Sequence, residues 1–273
     1  MHVLWRKRGP ARRNLGASFR YLLRGREVSN FTYDLANQDE LTEFVAHALS
    51  VPSQLVSRFV EELEQDDELR EALASRLKTH PNRFDTPRYT KRTGYYALVR
   101  VVKPQTVVET GTHDGLGATV IARPLQRNAD EGHARGHVRT FDVDPEAGWL
   151  VPDFLEDFVQ QVTGPTSETL APALEGAAVD FFVHDSLRTP ENERFEFETV
   201  IRRAAGPRLY LATDNAPDTD VLRDLCEERG AWYGAFQEKP KDHFFEGVTL
   251  SLGGVGGRRR GRARAARRPG VTP

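Results

Sequence analysis

From about residue 105 the chain alternates short apolar runs with amphipathic segments, and this alternation restricts the fold more than any other feature. The runs are 106–110 (TVVET), 137–142 (HVRTFD), 179–184 (VDFFVH), 207–212 (PRLYLA) and 247–252 (GVTLSL). Helical patterns fall between them, at 115–127, 146–160, 191–204 and 218–229. Strand–helix repetition of this kind calls for parallel strands joined by right-handed crossovers. The expected fold class is α/β: a Rossmann-like, doubly wound, mostly parallel sheet with helices on both faces and an N-terminal helical extension. In such sheets a ligand lies beyond the C-terminal ends of the strands, near the point where strand order reverses. Chemistry is therefore sought just after each strand.

The rest of the chain divides by composition. Residues 31–87 read as the helical extension. Asn37 and Glu40 make a capping-box-like start, and Leu41, Phe44, Val45, Ala48 and Leu49 share one helical face. After Pro52 the pattern recurs in Leu55, Val56, Phe59, Val60 and Leu63, then in Leu69, Leu73 and Leu77. Residues 1–30 are expected to be a flexible basic N-terminus and 254–273 a disordered Arg/Gly-rich tail, since neither has apolar periodicity. The net charge of -2 hides an asymmetry. Eight Arg or Lys lie in residues 1–27 and seven Arg in 258–268, which leaves 23 of the 38 basic and 39 of the 40 acidic side chains in the body between. A body about sixteen charges negative does not itself seek nucleic acid. Contact with RNA, if any, falls to the arginine tail. The single cysteine, Cys226, excludes an intramolecular disulfide and a cysteine zinc site. No apolar run approaches the roughly 20 residues of a membrane helix. A cytoplasmic location without a membrane partner is expected, and a homo-oligomer is compatible with the sequence.

The first strand runs into Gly111, Gly115 and Gly117 ahead of a helix. Glycines there permit a sharp turn and close approach of a ligand to the main chain. A dinucleotide turn would read G-x-G-x-x-G, but His113 fills the second glycine position and leaves less room for a pyrophosphate. Glu109, at the strand's end, would repel phosphate and suit the amino group of a methionine-like moiety. The segment VVETGTHDGLG resembles the glycine-rich first motif of class I S-adenosylmethionine-dependent methyltransferases, and the following strands extend the resemblance over about residues 88–253.

That resemblance implies a cofactor site. Glu109, Gly111, Thr112, His113 and Gly115 would form its first turn. The second strand ends in TFDVDP, and an acid at that tip is placed to accept ribose hydroxyls. By similarity Asp142 takes this role, with Val143 beside the adenine, while Asp144 before Pro145 suits a helix cap. Thr166 and Ser167, in GPTSETL, resemble the turn that contacts adenine, and either also suits a plain N-cap.

The fourth and fifth strands end in HDSLRTPENE and ATDNA. Asp185, Asp214 and Asn215 resemble the Asp…Asp-Asn set that binds a divalent cation, Mg²⁺ in type, in catechol O-methyltransferases. Two carboxylates, an amide and waters suit such an ion. The chain departs from that pattern by carrying Arg188 three residues after Asp185, and arginine is a poor base. The same segment also resembles bacterial methyltransferases of natural-product and sugar pathways, where a metal is expected less regularly. Without metal, Asp185 is the candidate general base if burial raises its pKa. His243 is a second candidate base, and His184 is expected to pack. Arg83, Arg88, Lys91, Arg92, Tyr95 and Tyr96 suit either a lid over the cofactor or a surface helix feeding the first strand. The implied reaction is methyl transfer from S-adenosylmethionine to a hydroxyl of a small-molecule, sugar or natural-product acceptor. The alternatives are N-methylation and an RNA-associated methyltransferase that uses the arginine tail.

Overall fold

The computed structural model describes residues 33–79, 87–206, 208–214, 219–241 and 247–255. Seven strands form one sheet: β2 (Thr106–Thr110), β3 (His137–Asp142), β4 (Val159–Thr163), β5 (Phe181–His184), β6 (Leu209–Asp214), β7 (Trp232–Gln237) and β9 (Thr249–Val255). Their order across the sheet is β4–β3–β2–β5–β6–β9–β7. β2 to β6 are parallel, and β9 runs antiparallel between β6 and β7. The chain winds outward from β2 through β3 to β4, then returns to β5 on the other side of β2. The strand order therefore reverses between β2 and β5. Their tips face one crevice, as a doubly wound sheet requires.

The central strands are buried along their whole length, with β2 and β5 fully enclosed, as a sheet covered on both faces demands. Helices α4 (Arg92–Val102) and α5 (Leu116–Asp130) pack with one cluster of the core, and α6 (Thr166–Ala173), α7 (Pro190–Ile201) and α8 (Val221–Glu228) with the other. The N-terminal helices α1 (Gln38–Leu49), α2 (Ser53–Glu64) and α3 (Asp67–Lys78) bury the predicted stripes, including Leu41, Val45, Val56, Val60, Leu63, Leu69, Leu73 and Leu77. Those side chains join the same cluster as Val107 of β2 and Val120 of α5. Asn37 begins α1 but does not cap it through its side chain. Its amide instead reaches Glu40 and the Gln237 carbonyl, while its oxygen accepts from the Lys239 N–H. A two-residue pairing of β1 (Asp34–Leu35) with β8 (Pro240–Lys241) continues this tie. No described helix is long and apolar enough to cross a membrane.

Several boundaries differ from the sequence expectation. The segment 146–160 is not one helix: a turn and a 3₁₀ helix (Asp153–Phe158) lead into the edge strand β4. The edge strand β7 is hidden in the sequence by its half-exposed, glycine-containing run WYGAFQ. β6 begins and ends two residues later than expected. β9 continues to Val255, so the first two residues of the segment assigned to the tail belong to the sheet, with Gly254 opposite Tyr210 and Val255 opposite Leu209. Residues 1–32 and 256–273, and with them the expected basic N-terminus and most of the tail, lie outside the described residues.

Candidate active site

The turn after β2 is held by the sheet on either side of it. Gly111 has φ +89°, and a Cβ there would come within 2.1 Å of the Asp185 carbonyl oxygen, so only glycine lets the tips of β2 and β5 approach this closely. Gly115 has φ +92°, and a Cβ on it would press on the backbone of Gly148 at 2.8 Å. The Gly111 and Thr112 amides both donate to the Phe141 carbonyl. The His113 amide donates to Asp142 Oδ2 at 2.7 Å, and the Asp144 amide to Asp142 Oδ1 at 3.0 Å. Asp142 thus ties the glycine turn to the tip of β3. Beside it Val143 is exposed to 69%, which is unusual for so large an apolar side chain in this molecule. Asp144 accepts from the Glu146 amide at 2.9 Å, but a turn and not a helix follows it, so the expected helix cap is a turn cap.

Glu109 is more enclosed than its assigned role implies. One carboxylate oxygen accepts from Thr140 Oγ1 at 2.8 Å, and the other would lie 2.0 Å from a Cβ at Gly117. Burial, with a further push from the Asp185 charge, raises its pKa to about 8. Thr112 is also buried, with its hydroxyl 2.7 Å from that of Thr140. Its side chain therefore faces the sheet, and only its backbone borders the turn. His113 is exposed, with Nδ1 3.0 Å from Asp114 Oδ2.

A second buried acid, Glu196 of α7, joins three parts of the crevice. It accepts from Thr110 Oγ1 (2.6 Å) at the tip of β2, Thr166 Oγ1 (2.6 Å) at the start of α6, and Ser186 Oγ (2.7 Å) after β5. His184 Nδ1 lies 2.7 Å from it, with the ring against Phe197. Burial would raise its pKa, but His184 and the hydroxyl donors outweigh that and lower it. Thr166 thus serves neither as a free hydroxyl nor as a cap; Ser167 beside it is exposed. The sequence carries only a faint sign of Glu196, in its four-residue spacing from Asn192, which also donates to it at 2.9 Å.

Asp185 follows β5 and keeps 24% of its side chain exposed. Arg188 Nη2 donates to its Oδ1 at 3.0 Å, so the arginine clamps Asp185 itself. Burial and then the neighbouring Asp214 charge raise the Asp185 pKa to about 7, against the pull of Arg92 and Lys91. Asp214, at the end of β6, is buried and takes its counterion from the N-terminal side: Lys91 Nζ stands 2.7 Å from its Oδ1. Burial would raise the Asp214 pKa, but Lys91 and Arg92 outweigh this and lower it. The same Nζ lies 3.9 Å from Glu238 Oε2. Glu238 is itself fixed by Tyr33 Oη (2.7 Å) and by the amides of Lys91 (2.9 Å) and Val248 (3.1 Å). Lys91, Arg92 and Tyr95 are all buried, so this part of the expected lid is wall rather than cover. Nothing in the sequence around Glu238 marks it as part of this site.

Two predicted residues, Asn215 and His243, lie outside the described residues, as does Arg83. Among the described residues no group of three or more His, Cys, Asp or Glu is arranged to hold a metal ion.

Residues 108–215 match a family model described as a methyltransferase domain. No curated protein sequence matches the chain. Among solved structures it is similar to the O-methyltransferase TomG from Streptomyces achromogenes, with 18% identity and a TM-score of 0.53, over 74% of this chain and 96% of that one. The O-methyltransferase from Bacillus cereus gives 16% identity and a TM-score of 0.51, over 79% of this chain and 97% of that one. Rv0187 from MTB gives 20% and 0.52, over 68% and 89%. At these identities the likeness is one of fold. The matched residues, the strand order and the glycine turn at its reversal point agree: residues 108–215 match the methyltransferase-domain family, on a doubly wound sheet of the kind its solved neighbours share.

Proposed function

We propose that the protein transfers the methyl group of S-adenosylmethionine to a hydroxyl oxygen of a small molecule. The observation that carries this reading is the position of Asp185. Its backbone is pressed onto the Gly111 turn, and its partly exposed carboxyl is poised near neutrality. A base at that place adjoins the methyl donor and is half ionised near physiological pH, as removal of a hydroxyl proton requires.

The residues present fit the donor. Asp142 offers carboxylate oxygens at the tip of β3 to ribose hydroxyls, and the exposed Val143 offers an apolar surface to an adenine ring. The backbones of Gly111, His113 and Gly115 border the space between them, and Ser167 stands at the start of α6. Arg92 is buried near Asp214, Asp185 and Asp114, without an ion pair to any of them among the described residues, and suits the donor's carboxylate. Bound there, S-adenosylmethionine supplies a methyl group on a sulfonium that is already a good leaving group. The protein's share is then in-line placement and one proton acceptor. Leu187, exposed to 65% beside Asp185, gives the acceptor pocket an apolar border. The solved O-methyltransferases of this fold include one in complex with S-adenosylhomocysteine and one, in complex with S-adenosylmethionine, involved in tomaymycin synthesis. The second supports a small acceptor.

Calorimetry with S-adenosylhomocysteine and, separately, with NAD tests the donor site. Binding of the first and silence with the second is expected, and the reverse would sink the proposal. A panel of phenols, sugars and amines with methyl-labelled donor then tests the acceptor class. Label on nitrogen alone would overturn the hydroxyl assignment.

A further inference from the structure

We propose that the Lys91 ammonium stands in for the divalent cation of the Asp…Asp-Asn arrangement, so that this site works without metal. The inference rests on the methyltransferase reading and concerns how that same site is charged. Lys91 is a positioning residue: its side chain is fully enclosed, so it acts through Asp214.

Three observations meet here. Lys91 Nζ lies 2.7 Å from Asp214 Oδ1, and both atoms are enclosed without a hydrogen-bond partner elsewhere among the described residues. A Mg²⁺-like ion would need that oxygen at roughly 2.0–2.1 Å, which puts it under about 5 Å from a fixed ammonium. Two cations so close in a dry site repel strongly, because little water is present to screen them. Second, Lys91 cannot easily swing aside. Its side chain is fully enclosed, and its Nζ is flanked by Glu238 Oε2 at 3.9 Å. Third, the remaining charges are already matched. Arg188 holds Asp185 at 3.0 Å, and the buried Arg92 guanidinium adds its charge toward both Asp185 and Asp214. Lys91 and Arg188 therefore pair with Asp214 and Asp185, and three hydrogen bonds hold Glu238. A further double charge would find no free carboxylate among them. The described carboxylates of that set, Asp185 and Asp214, do not fit a divalent ion while Lys91 is in place.

The tethered cation performs the electrostatic part of a metal's task. It keeps Asp214 ionised and still at the mouth, and it leaves Asp185 free to accept a proton. It does not bind the acceptor oxygen directly, so the acceptor must be oriented by side chains and not by coordination.

The test is Mn²⁺ binding, read as loss of the free-ion electron paramagnetic resonance signal, with and without S-adenosylhomocysteine. The wild-type chain is expected to leave the millimolar Mn²⁺ signal unchanged. Lys91→Ala is expected to gain a bound ion at least tenfold tighter than wild type, and Lys91→Ala with Asp214→Asn to lose it again. One Mn²⁺ per wild-type chain, released by Asp214→Asn, would overturn the proposal. So would a folded Lys91→Ala that binds no more Mn²⁺ than wild type. If Lys91→Ala does not fold, the wild-type measurement and Lys91→Arg decide, and Lys91→Arg is expected to keep the charge and exclude the ion. Failure of S-adenosylhomocysteine to bind would count against the methyltransferase reading alone, because the Mn²⁺ measurement without it still reports on Lys91.

Discussion

Asp142 accepts two backbone amides, one from the glycine turn and one from the segment after β3, while it also faces the space offered to a ribose. Asp142→Ala should therefore act twice, by removing the ligand's acceptor and by loosening His113, which sits at a positive φ of 49°. Loss of a charge-assisted bond of this kind is worth roughly 1.5–3 kcal/mol. Calorimetric affinity for S-adenosylhomocysteine should fall by about ten- to a hundredfold at little cost in melting temperature, and an unchanged affinity would assign the ribose to another acid. Gly111→Ala is a harsher change. The new methyl would collide with the Asp185 carbonyl oxygen, which is backbone and cannot turn away, at a φ that L-residues rarely adopt. We expect loss of ligand binding with a destabilisation of about 1–3 kcal/mol. A variant that binds normally would mean that the two strand tips can part freely.

At the scale of elements, a buried charge cluster joins the N-terminal helices to the sheet's covering layer. Asp66 caps α3 by accepting from the Leu69 amide at 3.1 Å. It also accepts from Arg123 Nε and Arg127 Nη2 of α5, both at 2.7 Å. With Asp66 removed, Arg123 would stay buried without that partner, and breaking such a pair typically costs about 3–5 kcal/mol. Urea unfolding of Asp66→Ala should show a loss of that order in one cooperative transition. Separate transitions for helices and sheet would show instead that α1–α3 are only an attachment. None of this cluster is legible in the sequence, because residues 57 positions apart give no local pattern. What is legible has a period. The apolar stripes of α1–α3, the buried runs of β2 and β5, and the glycine spacing after β2 each follow from burial or backbone geometry read locally. The edge strands β4 and β7 are not legible, since half-exposed sequences such as VQQVT carry no clean alternation. In the site, Asp142 and Asp185 stand out as acids at strand tips. Lys91 reads in the sequence only as one basic residue among several, because its partner Asp214 lies on another element more than a hundred residues away.

For the molecule as a whole, the buried acids divide into two groups whose effects on stability oppose one another. Glu109 and Asp185 are raised by burial, to about 8 and about 7. Folded, they hold protons that the unfolded chain would release, so their contribution is complete below the ordinary carboxylate range and is lost as pH rises through 7 and 8. Asp66, Glu196 and Asp214 are lowered despite burial, by Arg123 and Arg127, by His184, and by Lys91. Their contribution is present above the ordinary carboxylate range and is lost on acidification. The ligand-free protein should therefore be most stable in mildly acidic solution, and should weaken both toward strong acid and toward about pH 8. Each tenfold difference in proton affinity between the folded and unfolded chain is worth about 1.4 kcal/mol, so the decline between about pH 5.5 and 8 is of order several kcal/mol. Glu109→Gln separates this effect from general alkaline damage. The amide keeps the shape of a protonated carboxyl and cannot ionise, so the variant should lose less stability than wild type between about pH 5.5 and 8. Urea midpoints at the two pH values read the difference directly. A wild-type protein as stable at about pH 8 as at 5.5, or a Glu109→Gln protein with the same slope, would mean that Glu109 is ionised and compensated in the folded state. In that case the charge first expected of it, facing a ligand's amino group, would be available after all.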